Sequence, residues 1–116
     1  MKWIMLFMLM TSLCLTNCFE GANKQKEEIL LLNNSKDARK AVESYFEKEK
    51  IEYKYWRGKI ESSRIGELVN NDESVYFAIY REEKDVYIIT HYVVYIIIDS
   101  NNKIKDIIFD TLFTGP

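Results

Sequence analysis

Few side chains in this sequence of 116 residues could do chemistry, and their spacing decides most of the question. His91 is the single histidine. A nucleophile–imidazole–acid relay needs two further groups beside it, and the local sequence places neither, so His91 reads as a structural strand residue. Asp106 and Asp110 share one face of an extended segment. Four residues at about 3.3 Å each hold them roughly 13 Å apart, beyond the separations a glycosidase pair uses. They read as solvated or edge-protecting groups. Asp99, Asn101 and Lys103 fall at positions one, three and five of a would-be calcium loop. Ile104 stands where that loop needs Gly and Lys103 repels a cation, so a turn is the better reading. No Gly-rich phosphate loop, no Cys or His cluster for zinc and no basic stripe with interleaved aromatics is present. The expectation is a noncatalytic protein with no metal, no cofactor and no nucleic-acid partner.

The elements that position these residues follow from composition and period. A formal charge of -2 implies neither a broad cationic surface nor an acidic tail. With 14% aromatic residues the chain can bury enough apolar surface to fold, and its length fits one domain. From Ser35, the residues Ala38, Ala41, Val42, Tyr45 and Phe46 recur on one stripe of a helix of about sixteen residues. Asn34 or Ser35 can cap it, Asp37 suits its first turn, and Arg39 with Glu43 forms an i, i+4 pair. Such a helix cannot stand alone and needs a sheet to pack on.

Alternation supplies that sheet. Ile51, Tyr53 and Tyr55 give a first strand ending before Gly58, and Val75 to Tyr80 a second. Glu82 to Asp85 reads as a polar turn into a third strand over Val86 to Ile98, long enough to require a bend or bulge near Thr90. Asp99 to Asn102 turns the chain into a fourth strand over Ile104 to Phe113. Residues joined by such short turns run antiparallel. The fold class expected is therefore α+β, one main helix on a three- to four-stranded antiparallel meander. Residues 58–72 read as a loop or a short extra strand, and Ile29 to Leu32 as either a strand or a helical turn. Asn33-Asn34-Ser35 matches a glycosylation sequon but serves equally as helix-start chemistry.

Both faces of the last two strands carry aromatic and β-branched residues, and one helix covers one face. Tyr87, Tyr92, Tyr95, Phe109 and Phe113 are the candidate partner surface, since Tyr brings large contact area at low entropic cost. The alternative, that Ile29 to Leu32 and the 58–72 segment cover this face as ordinary core, stays open.

The start of the chain has a different character. Lys2 is followed by an apolar run from Trp3 to Leu15, with no charge until Glu20. About thirteen apolar residues behind one cation fit an export signal rather than the roughly 20 residues of a membrane span. Leu15-Thr16-Asn17-Cys18 resembles the lipobox of bacterial lipoproteins, with Asn17 where that family has a small residue. The resemblance implies cleavage before Cys18 and acylation of its thiol and new amino group, a durable anchor. Phe19 after the cysteine, by analogy with Gram-negative sorting, points to the outer membrane facing the periplasm. Simple cleavage near Cys18 or Ala22 to a secreted or periplasmic domain, and an uncleaved anchor, are the alternatives. On this reading residues 1–17 are the signal, 18–34 the lipidated cysteine and its tether, and 35–116 a single α+β domain. Cys14 leaves with the signal, so the domain folds without a disulfide.

The run Ser35 to Tyr55, a helix leading straight into Ile51-Glu52-Tyr53-Lys54-Tyr55, followed by hairpins ending in Phe113-Thr114-Gly115-Pro116, resembles many small bacterial lipoproteins. It is also similar in layout to the BamE-like (SmpA/OmlA) envelope lipoproteins. That resemblance implies an accessory role in envelope assembly, with the sheet or its edge touching a larger protein. An inhibitor or immunity-type lipoprotein that blocks a periplasmic hydrolase or toxin is the alternative function.

Overall fold

A computed structural model describes residues 24–58 and 65–115. Residues 1–17, read above as an export signal, Cys18 and residues 19–23 lie outside the described residues. Residues 24–31 are helical (α1) and tighten into a 3-10 turn at Leu32–Asn34. Then come α2 (Ala38–Lys48), β1 (Tyr53–Arg57), a 3-10 turn at Gly66–Leu68, β2 (Ser74–Lys84), β3 (Ile89–Ile98) and β4 (Ile104–Thr114). The strands form one antiparallel sheet in the order β1-β2-β3-β4. The expected α+β class and meander are what the chain adopts.

Ala38, Val42 and Phe46 are the fully enclosed stripe of α2, while Tyr45 packs partly buried beside them. The helix is shorter than its stripe suggested, because its start is set from elsewhere. Asp37 is the N-cap, accepting from the Lys40 amide at 3.2 Å. Asn102, in the β3–β4 turn, accepts the Arg39 amide on Oδ1 at 3.1 Å and the Ala38 amide on its backbone oxygen at 3.2 Å. Its side-chain amide also donates to Asp37 Oδ1 at 2.7 Å. Amides that a helix start leaves unpaired are thus satisfied by a distant hairpin. At the other end, Lys50 takes a left-handed φ of 57° and the Ile51 amide reaches back to Phe46 O at 2.8 Å, which ends the helix.

The stretch expected as a tether is part of the folded body from residue 24 onward. Ile29 is fully enclosed and joins Val42, Phe46, Tyr76, Val94 and Ile96 in the main core, with Leu32 packed against it. Tyr45 donates to Glu28 at 3.3 Å, and the Lys26 ammonium lies over the Phe109 ring. Period analysis passes over α1 because only one of its turns is anchored by an aliphatic side chain. The other partly buried positions are the polar Gln25, Lys26 and Glu28. Leu30 and Leu31, the residues that make the run look apolar, are exposed.

Each face of the sheet has its own cover. On the helix side Tyr76, Ala78, Tyr80, Val94, Ile96 and Ile98 meet α1 and α2. On the other side Val75 and Ile97 pack with Ile65 and Val69, joined by Trp56, Tyr95 and Ile108. Lys105 fastens this segment by donating to Leu68 O at 3.1 Å and to the buried carboxylate of Glu73 at 2.8 Å. Part of the 58–72 stretch is therefore ordinary core, the alternative left open above.

The turn between the second and third strands differs from expectation. β2 continues through Lys84 and β3 begins only at Ile89, so Val86 to Ile88 are turn rather than strand. Asp85 closes the turn through its amide to Ile88 O at 2.9 Å. One register shift falls on the partner strand, between Ile79 and Arg81, and a second at Ile97 and Ile98 against β4, instead of near Thr90. In the first, the extra residue is Tyr80, which keeps the helix-side face of Tyr76 and Ala78, while the shift sets Arg81 opposite Tyr92.

Candidate functional site

His91 is where the structure adds most to the sequence. Glu82 lies directly across the ladder from it, and Thr114 sits two residues beyond its other partner, Leu112. The ring is held between them, with Nδ1 3.2 Å from Glu82 Oε1 and Nε2 2.9 Å from Thr114 Oγ1. A carboxylate, an imidazole and a hydroxyl thus stand in line, an arrangement the sequence reading did not place. Cross-strand pairing accounts for it in full, since same-face neighbours on adjacent strands are within reach of long side chains. The hydroxyl belongs to an exposed threonine at the strand end, and the main cleft described below is lined by Glu82 but by neither His91 nor Thr114. Only hairpin register could have signalled the trio, and misplacing the Glu82 turn hid it.

The acidic candidates are occupied by backbone. Asp99 Oδ1 accepts from the amides of Asn101 and Lys103 at 2.9 and 3.0 Å, so it organises the turn. Asp106 and Asp110 do share a face, opposite Ile97 and Val93. Each accepts the amide of the next residue, Ile107 at 2.9 Å and Thr111 at 2.8 Å. In the described sheet β4 has β3 as its one neighbour, and amides engaged this way are withheld from a passing strand. No group of three or more His, Cys, Asp or Glu among the described residues is placed to hold a metal ion.

The five aromatic candidates do not form one surface. Tyr92 and Phe109 are partly buried on the helix side, their ring centroids 6.3 and 6.0 Å from that of Tyr80. Tyr92 also donates to Glu83, which pushes its phenol above the ordinary value. Tyr95 lies on the opposite face, its ring tilted against that of Phe77 with centroids 5.0 Å apart. Tyr87 and Phe113 alone are strongly exposed, in company with Val86 and Ile88, which the sequence reading had assigned to a strand interior.

A concave site sits elsewhere, at the β1 margin. The ladder between β1 and β2 ends at Tyr53↔Ala78, whereas β2 runs on to Lys84. The chain entering β1 peels away over residues 49–52, and a cleft of about 770 Å3 opens beside the unaccompanied stretch of β2. Its walls mix Ile51, Tyr53 and Ile79 with Glu52, Lys54 and Arg81. A groove that mixes apolar and charged walls beside an open strand edge can take up an extended peptide.

Compared with models of protein families, with curated proteins and with solved structures, the chain matches none.

Proposed function

We propose that the chain is a noncatalytic lipoprotein of the bacterial cell envelope, tethered through Cys18, that acts as a binding or accessory module for another envelope protein. The reading starts from the apolar leader and the Leu15-Thr16-Asn17-Cys18 segment. The resemblance in layout to BamE-like envelope lipoproteins points the same way. The observation that carries the binding role is the six-residue stretch of β2, Ile79 to Lys84, that extends past its β1 partner and borders the cleft. A strand edge with an adjoining pocket can take up an extended segment, main-chain bonds giving affinity and the pocket selectivity. The charges on this edge, Arg81, Glu82, Glu83 and Lys84, oppose indiscriminate pairing and favour a segment of complementary pattern.

A photo-crosslinking residue in place of Ile79 or Lys54, introduced in living cells, tests this. The expected result is one dominant protein adduct that disappears with Arg81→Glu and is not formed from Ser100, in the turn at the far end of the sheet. Identical patterns from all three positions refute the cleft as the binding site. An adduct with a hydrolase or toxin in place of an envelope protein selects the inhibitor role.

A further inference from the structure

The most exposed apolar groups of the sheet collect at one end. Val86, Tyr87 and Phe113 are 84%, 73% and 68% exposed, and Ile88 and Leu112 are also open to solvent. The pairings Ile89↔Thr114 and Thr90↔Phe113 set the end of β4 beside the base of the 85–88 turn, so these side chains form one apolar tip. A tip of this kind needs a partner surface.

The path of the chain names it. α2 starts against Asn102, at the end of the sheet opposite the tip, and runs back to Glu49. Residue 24, where α1 begins among the described residues, shares a shallow cleft with Glu49 and Arg81. The chain therefore enters the domain at the tip end. Cys18 precedes residue 24 by six residues, a reach of at most about 20 Å, and Arg81 lies only five residues from Val86. A bilayer holding an acylated Cys18 is within range of the tip. Chemistry agrees: aliphatic groups beside a phenol suit the headgroup–acyl boundary, where an apolar body is buried and a polar end stays wet. No helix among the described residues is long and apolar enough to cross a membrane.

We infer that the Val86-Tyr87-Ile88 turn, with Phe113 beside it, inserts into the interface of the bilayer that holds the anchor and fixes the orientation of the domain above it. This rests on the tether of the proposed function. In that pose the 99–103 turn points away from the membrane. Lys84 and Asp85 flank the tip with opposite charges, so apolar insertion rather than lipid charge drives the contact and added salt changes it little.

The full chain, expressed in a bacterial host and reconstituted into vesicles of phosphatidylethanolamine and phosphatidylglycerol with brominated acyl chains, tests the inference. Tyr87→Trp fluorescence, read against the parent chain, is expected to be quenched and blue-shifted, and Asn101→Trp fluorescence unchanged. Val86→Asp together with Ile88→Asp, both in an exposed turn, should weaken vesicle binding of a chain beginning at residue 19, which carries neither leader nor lipid, about tenfold or more while leaving its melting temperature in place. Intact mass separates the two claims. Acyl chains on Cys18 with no quenching of Tyr87→Trp overturn the tip and leave the tether. Quenching without acyl chains overturns the tether and leaves the tip. Unchanged vesicle binding by the double Asp variant refutes insertion. So does absence of quenching together with a protein adduct from a crosslinker at Tyr87, which makes the tip a protein contact.

Discussion

Replacing Ile29 with alanine asks whether α1 belongs to the folded body. Its side chain is 0% exposed and sits among Val42, Phe46, Tyr76 and Ile96, so truncation removes buried apolar surface and leaves a cavity. Changes of this kind cost about 2–5 kcal/mol, against a total stability on the order of 5–15 kcal/mol for a domain. In a body of this size each kcal/mol moves the melting temperature by about 4–8 °C. The expected drop is therefore at least about 8 °C, and about 20 °C at the middle of the range. Leu31→Ala is the internal control: its side chain is 66% exposed, and such surface changes stay within about 0.5 kcal/mol. Thermal melts followed by far-ultraviolet circular dichroism, on a chain beginning at residue 19, compare the two. Removing residues 19–34 altogether should do at least as much damage as Ile29→Ala, since it also takes away Leu32 and the Glu28 acceptor of Tyr45. If the Ile29 and Leu31 variants melt together, the segment is a tether after all and the packing argument fails.

Three further expectations follow from the same geometry. The Asn102 side chain, followed by the Lys40 amide, holds the Asp37 carboxyl below its ordinary pKa of 3.8; the stability it contributes is full above that value and is lost as pH falls through the lower folded value. Asn102→Ala should lower the melting temperature at neutral pH and flatten its fall below about pH 4, and an unchanged acid profile would contradict the assigned cap. Tyr76, 1% exposed, donates to Glu43 at 2.6 Å, and burial together with that carboxylate pushes its phenol well above the ordinary value. Tyr76→Phe should cost about 2 kcal/mol in urea melts, whereas Tyr92→Phe, whose partner Glu83 is exposed, should cost less than about 0.5 kcal/mol. Thr114→Val, which removes the hydroxyl beside His91, should leave any release of nitrophenol from nitrophenyl acetate at the parent level; loss of a measurable rate with unchanged melting would argue for an enzyme.

The local sequence of this protein carries α2, the four strands and the order in which they pair. Ala38, Val42 and Phe46 recur at helical spacing, Ile51, Tyr53 and Tyr55 alternate with charged residues, and Val75 to Tyr80 and Ile104 to Phe113 are rich in β-branched and aromatic side chains, each pattern matching the geometry of the backbone that displays it. Short polar turns then leave antiparallel pairing as the one way to join neighbours. Asp99, Asp106 and Asp110 were also legible as turn and edge residues, since carboxylates bonding amides one to four residues ahead depend on nearby chain alone.

What tertiary structure decided is everything that depends on contacts distant in sequence. α1 folds because Phe46, Tyr45 and Phe109 receive it, not because its own residues form an apolar stripe. α2 starts at Asp37 because Asn102 arrives from another hairpin to meet the free amides. The β2–β3 turn moved to residues 85–88 because β2 gained more by pairing through Lys84 than by stopping after Tyr80. That single shift in register set Glu82 against His91 and turned Val86, Tyr87 and Ile88 out to solvent. An apolar run reads the same whether it lies in a strand or crosses an exposed turn; only the pairing of its neighbours tells the two apart.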